Sequence, residues 1–318
     1  MTSAAMPADA GRGAAAPAAA RPTRSVSISG APYDGHPVPH MLESLARIGA
    51  THVEPAFIVG YTEPFDESSF TEARAVEYAR WLAEAGIQCH AMSSHIDLGR
   101  PDALTVFAGR MAFAARIGAR VINTNAAARA NEARFHQNIQ QLARLAEDLG
   151  LLIGLENPGD GSDNLLNIAA DGPGLIARIN HPHVGLNYDA GNTISHRPGV
   201  DTVMDALAAM PLCVHTHIKD VRRTPQGYFF TGLGEGEIGC DRIVQALATL
   251  PAALNLSIEI PMRLHRGPDA QPSRSAWRVP LADIEARLGA ALDFVHQHLA
   301  AGEAAGTPPV SQLPETSR

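Results

Sequence analysis

Three carboxylates and an imidazole stand at the ends of apolar runs in this chain: Glu156 in LLIGLENPG, Asp189 in GLNYDAGN, Glu259 in LSIEIP and His217 in VHTHIKD. Burying a carboxylate in such a run is costly unless it meets hydrogen-bond donors or a cation. Any one of the three reads as well as a satisfied core carboxylate. Together they would repel one another unless a cation sat among them, so Glu156, Asp189, His217 and Glu259 are expected to hold one divalent metal. Carboxylate oxygens with one imidazole and no thiolate suit Mn²⁺, with Mg²⁺ or Co²⁺ as alternatives. Positions left open on the cation suit the adjacent oxygens of a hydroxycarbonyl substrate, whose enediolate a Lewis acid would stabilise.

Those side chains need a frame. Short apolar or β-branched runs at 26–29, 52–56, 88–93, 121–124, 152–156, 184–189, 214–218 and 256–260 read as eight strands. Helical periodicity separates them: Leu104, Phe107, Met111 and Ala114 share one face, Phe135, Ile139, Leu142, Ala146 and Leu149 another, and Leu281, Ile284, Leu288, Leu292, Val295 and Leu299 a third. Eight strand–helix repeats predict a parallel sheet closed into a (β/α)₈ TIM barrel, a single α/β domain over residues 25–301. The first strand leads into GAPYDGHP, which lacks the GxGxxG of a dinucleotide fold. Low-complexity Ala/Pro/Gly sequence over 1–24 and polar, Pro-rich sequence over 302–318 predict flexible tails. In a barrel the C-terminal strand ends carry the chemistry. Those ends present Glu54, His95, Asn123, Asn125 and His215 beside the four expected ligands. Alternation points His215, His217 and Lys219 the same way, and His217, nearer the rim, is the expected ligand, with His215 a packed or hydrogen-bonded core group.

Composition excludes several partners. The net charge is −8 and no block of Lys/Arg occurs, which argues against nucleic acid and anionic membranes and for a small sugar-like molecule. Cys89, Cys213 and Cys240 are too few and too widely spaced for a disulfide framework or a thiolate zinc site, and read as reduced core thiols. No apolar run reaches membrane-spanning length and the N-terminus lacks the apolar block of a secretory signal, so a cytoplasmic enzyme is expected. Gly232-Leu-Gly234-Glu-Gly236 lacks the GK[ST] of a phosphate loop and reads as a turn at the pocket rim.

The ordered set LENPG, YDAGN, HTHIKD, GLGEGEI and IEIP resembles the xylose-isomerase-like TIM barrel superfamily, the sugar phosphate isomerase/epimerase group, over essentially the whole core. Its ketose 3-epimerase members hold a metal with Glu, Asp, His and Glu from strands five to eight, which map onto Glu156, Asp189, His217 and Glu259. The resemblance also implies substrate contacts from Arg223, six residues after the metal His, and from the position of Asn192, where those epimerases carry a His. The three-zinc endonuclease branch needs further His and Asp ligands, and Asn192, Phe230 and Gly232 stand at the relevant offsets. The implied activity is a metal-dependent isomerase or epimerase of a ketose or related hydroxycarbonyl sugar, with Glu156 and Glu259 as paired bases. His95 is a further substrate contact. The alternative is a lyase or dehydratase, inosose dehydratase-like or C-glycoside deglycosidase-like, working by β-elimination. A homo-oligomer is expected, with a small accessory subunit if the enzyme is a C-glycoside lyase. The loops IVGYTEPFDESSF and MRLHRGPDAQPSRSAW are expected to set specificity.

Overall fold

The computed structural model describes residues 24–250 and 254–305. The expected tails at 1–23 and from 306 onward lie outside the described residues. Among the described residues the strands are β1 (Val26–Ser29), β2 (His52–Glu54), β3 (Ala56–Ile58), β4 (Gln88–Cys89), β5 (Ala91–His95), β6 (Val121–Asn125), β7 (Leu152–Glu156), β8 (Val184–Asp189), β9 (Cys213–Ile218), β10 (Asp220–Thr224), β11 (Gly227–Thr231), β12 (Asn255–Ile258), β13 (Leu264–Arg266) and β14 (Pro272–Arg274). The main helices are α1 (Val38–Arg47), α2 (Glu72–Ala85), α3 (Ala103–Arg116), α4 (Glu132–Leu149), α5 (Gly172–Ile179), α6 (Ala190–His196), α7 (Thr202–Ala209), α8 (Cys240–Thr249) and α9 (Leu281–Ala305).

The parallel pairs close a TIM barrel: β1 lies between β12 and β2, and the order runs on through β6, β7, β8 and β9 back to β12. Barrel strands two and three are each broken in the middle. Pro55, which has no N–H to give a ladder, separates β2 from β3, and His90 separates β4 from β5; the halves still pair, β2 with β4 and β3 with β5. The helical faces pack as their spacing requires, with Phe107, Met111, Phe135, Ile139, Leu142, Ile284, Leu288 and Val295 all buried. Cys89 and Cys240 are buried free thiols and Cys213 is half-buried and free, as their spacing suggested. The last helix runs on to Ala305, past the composition change near Gly302, because Gly302 itself is buried against α8 and a Cβ there would overlap Gln245.

The alternation of strands and helices is interrupted once. β10, β11, β13 and β14 form a separate four-stranded antiparallel sheet, β10-β11-β13-β14, which the barrel reading did not anticipate. Its strands come from the two ends of the barrel mouth that follow β9 and β12. The hairpin turns at Gly227, whose φ of 127° excludes a side chain and whose missing Cβ leaves room for the Arg266 carbonyl on β13. The Gly-rich GLGEG segment is organised from within: the buried Asp220 carboxylate accepts N–H groups of Gly234, Gly236 and Ile238 at 2.8, 3.0 and 3.2 Å. These donors are already used, so no phosphate cradle is formed.

Two histidines in this frame make its stability pH-dependent. His90 takes an amide hydrogen bond from Asn255 at 2.7 Å, and His196 takes the Gly161 N–H at 3.1 Å. Burial, aided by His215 near the first and Arg197 near the second, pushes each imidazole down to about 4. The unfolded chain takes up these protons first as pH falls, at about 6.5. Their contribution is therefore full above about 6.5 and lost as pH drops toward 4. In a His90→Gln/His196→Gln double variant the melting temperature should fall less steeply over that window than in the wild type; parallel slopes in a calorimetric pH series would contradict this.

Candidate metal centre

The barrel register sets the four expected ligands side by side. Asp189 on β8 pairs with His217 on β9, His217 pairs with Ser257 on β12, two residues before Glu259, and Glu156 ends β7 beside Asn187. One ligand atom from each of Glu156, Asp189, His217 and Glu259 lies within 4.8 Å of the others, and all four side chains are buried. The His217 ring is aimed by its far nitrogen: Nε2 lies 3.0 Å from Glu54 Oε1. That leaves Nδ1 facing Glu259 Oε2 at 3.0 Å, Glu156 Oε2 at 3.3 Å and Asp189 Oδ2 at 3.9 Å. Glu54 is fixed in turn by Ser93 at 2.5 Å and Asn123 at 3.0 Å, so a carboxylate–histidine pair orients the nitrogen that faces the cluster. His215 points at Glu54 Oε2, 3.2 Å, and Ser257 Oγ, 2.8 Å, one layer deeper, in the core role expected for it.

The electrostatics of the cluster call for positive charge. Burial and the neighbouring Glu156 and Glu259 push Asp189 up to about 6, although Lys219 opposes them. Burial disfavours the charged form of His217, yet Glu54, Glu156 and Glu259 outweigh it and hold the imidazole well above its usual range. Burial also acts against the Glu259 carboxylate, but the Lys219 ammonium and His217 hold it down at about 2. Lys219, two residues beyond His217 and just past the end of β9, completes the cluster. Its ammonium is buried, 2.8 Å from Glu259 Oε2 and 2.6 Å from Asp189 Oδ2, in the second case without hydrogen-bond geometry. His217 Nδ1 and Asp189 Oδ2 are buried and lack hydrogen-bond partners. An imidazole nitrogen that makes no hydrogen bond, with three carboxylates converging on it, fits a divalent cation, and these four residues could hold one.

Above the cluster opens a cavity of about 260 Å³ whose lining includes His95, Asn125, Asn192, Lys219, Tyr61 and Arg266. It is sized for a small metabolite. His95 stands with Nε2 3.4 Å from Glu156 Oε2. Asn192 bridges outward: its amide donates to Glu156 Oε1 at 3.0 Å while its Oδ1 accepts from Arg266 at 2.7 Å. Arg223 is the expected site residue that the structure does not bring here. β10 leaves the barrel after Lys219, so the Arg223 side chain is about half exposed beside Glu237, lining a separate surface cavity with Arg242. The guanidinium in the barrel mouth is Arg266, from the loop after β12. No motif signalled it, although the length of that loop marked it for specificity.

Residues 42–279, well over half of the chain, match the family described as xylose isomerase-like TIM barrel. The chain belongs to that family. Among solved structures of this shape, L-ribulose 3-epimerase superposes with a TM-score of 0.65 at 18% identity, over 93% of this chain and 100% of that one. A xylose isomerase-like TIM barrel protein from Mycobacterium smegmatis in complex with magnesium gives 0.66 at 17% identity, over 90% and 98%. The probable 3-DHS dehydratase AsbF from Bacillus anthracis, involved in petrobactin synthesis, gives 0.62 at 13%, over 86% and 98%. No curated protein matches the chain significantly in sequence. At these identities the xylose isomerase-like structures share the fold. Among the described residues, no helix is long and apolar enough to cross a membrane.

Proposed function

We propose that the protein is a divalent-metal-dependent isomerase or epimerase of a ketose or related hydroxycarbonyl sugar, with Mn²⁺ as the preferred ion and Mg²⁺ or Co²⁺ as substitutes. The observation that carries this reading is the convergence of Glu156, Asp189, His217 and Glu259 beneath one small cavity, with His217 Nδ1 and Asp189 Oδ2 outside any hydrogen bond. A cation held there supplies Lewis-acid polarisation of the substrate's carbonyl. Glu156 and Glu259 reach the cavity floor from different strands, and one removes the proton beside the carbonyl while the other returns it. Glu54 keeps His217 in place throughout, and His95 and Asn192 steady Glu156. L-ribulose 3-epimerase and D-allulose 3-epimerase share the fold, in keeping with proton transfer beside a carbonyl.

One observation favours the lyase alternative. Lys219 brings a buried ammonium to the cavity, and such a group can protonate a departing hydroxyl; a dehydratase is among the proteins of similar shape. Incubation of the Mn²⁺-loaded protein in deuterated water with a panel of ketoses and keto-sugar acids separates the two. The isomerase reading expects solvent deuterium on carbon with the substrate's formula otherwise unchanged, and loss of the signal in chelator. Loss of water from the substrate would establish the lyase instead, and no exchange or turnover on any hydroxycarbonyl compound would overturn both. The chain is further proposed to work in the cytoplasm as a homo-oligomer, with Trp277, 59% exposed, as a subunit contact.

A further inference from the structure

Arg266 is the largest fully buried side chain of the described residues, 1% exposed, and it lines the cavity above the metal cluster. Its hydrogen-bond partners are all neutral oxygens: Asn192 Oδ1 at 2.7 Å, Tyr61 OH at 3.1 and 3.3 Å, and Ser195 Oγ at 3.1 Å. Among the described residues no carboxylate lies within ion-pair distance of it, whereas Arg263, also buried, has Asp34 at 2.9 Å. The acidic groups that act on it from farther off, Asp189 and Glu259, belong to the cluster proposed to hold the metal. The one acid of the lining outside that cluster, Asp160, turns its carboxylate to Ser162, 2.7 Å away.

A buried guanidinium with no counter-ion is unfavourable for folding. The surroundings nevertheless keep it there. The Phe230 ring centroid lies 5.3 Å from Cζ, the Tyr61 ring 5.8 Å, and a Cβ on Gly159 would overlap the guanidinium. Nε and Nη2 both donate to the single Tyr61 hydroxyl, and theirs is the edge that a flat, two-oxygen group would pair with side-on. Asn192 ties this guanidinium to Glu156, and Arg266, Tyr61, Glu156 and Glu259 line the same small cavity.

We propose that Arg266, with Tyr61, is the specificity-determining site for a carboxylate on the substrate, which makes the substrate a hydroxy-keto acid and not a neutral ketose. The inference rests on the reading of the cluster below as a metal-dependent proton-transfer centre. In this arrangement the carboxylate takes the place beside Arg266 now filled by the Tyr61 hydroxyl, and the hydroxycarbonyl end lies over Glu156 and Glu259.

The test is calorimetric titration of the full-length Mn²⁺-loaded protein with D-ribonate, ribitol and ribitol 5-phosphate, in the wild type, Arg266→Gln and Arg266→Lys. A cation in the cluster attracts any carboxylate, so the decisive quantity is how much of the preference for ribonate disappears with Arg266. The wild type should prefer ribonate to ribitol, and Arg266→Gln should weaken ribonate by about 10- to 100-fold, the worth of a charged hydrogen-bond pair, while leaving ribitol within about 2-fold. Arg266→Lys should retain part of the preference. Equal weakening of ribonate and ribitol would make Arg266 a structural residue and overturn the inference, as would equal wild-type affinities for the two. An Arg266-dependent preference for ribitol 5-phosphate over ribonate would assign a phosphate and overturn the carboxylate. Failure of the wild type to hold Mn²⁺ would be a failure of the metal reading, visible before any ligand is added.

Discussion

Glu259→Gln is expected to lower turnover by about 10²- to 10⁴-fold, the usual worth of a positioned general base, while the protein still retains metal. The two effects separate because an amide oxygen can replace one carboxylate oxygen as a ligand but cannot accept the substrate's proton. Glu259 is well placed for both tasks. Its Oε2 faces His217 Nδ1 at 3.0 Å and Lys219 at 2.8 Å, and the ammonium and imidazole beside it overcome burial to keep it ionised down to about pH 2. Solvent-deuterium exchange from the face served by Glu156 should survive in this variant, so a comparison of exchange with net conversion isolates the loss to one base. Near-normal turnover of Glu259→Gln on the true substrate would remove Glu259 from the chemistry and leave it a ligand.

The second large effect is on metal affinity and discriminates between two neighbouring histidines. His217→Ala should weaken metal binding by more than the ~10- to 100-fold typical of losing a residue that only orients a ligand, because it deletes the Nδ1 donor itself. His215→Ala should fall within or below that orienting range. His215 meets Glu54 and Ser257 and no ligand oxygen, so its loss reaches the cluster only by loosening Glu54. Equilibrium dialysis of both variants against Mn²⁺ ranks them, and the reverse order would place the ligand one layer deeper in the barrel than the register allows.

The frame was legible because barrel strands advertise themselves. Each buried strand is a short apolar run, and each polar residue that ends one, Glu156, Asp189 and His217 among them, stands out against it. Alternation along Val214–Lys219 puts His215 and His217 on one face, and nearness to the rim singles out His217. What the sequence hid lies where local pattern stops constraining the chain. Glu54 closes apolar sequence as Glu156 does, but that it orients His217 from across the barrel depends on ring closure, a contact 163 residues long. Arg223 occupies the position the resemblance implied, yet the chain after Lys219 turns into a hairpin that carries it outward. That hairpin pairs with β13, and its partner strand delivers Arg266 from a loop with no motif at all. Antiparallel pairing between segments 36 residues apart, Phe229 with His265, cannot be read from periodicity, since strands of five and three residues carry too short an alternation to fix a register.

The proposed chemistry depends most directly on the cation. Chelator-treated protein titrated with Mn²⁺ should take up one ion per chain in a single saturable step. In the four-residue cluster His217 Nδ1 and Asp189 Oδ2 make no hydrogen bond, whereas Glu54, the carboxylate of the adjoining group with His215 and His217, is already hydrogen-bonded to Ser93 and Asn123. Uptake of no ion, or of two equally tight ions, would contradict it.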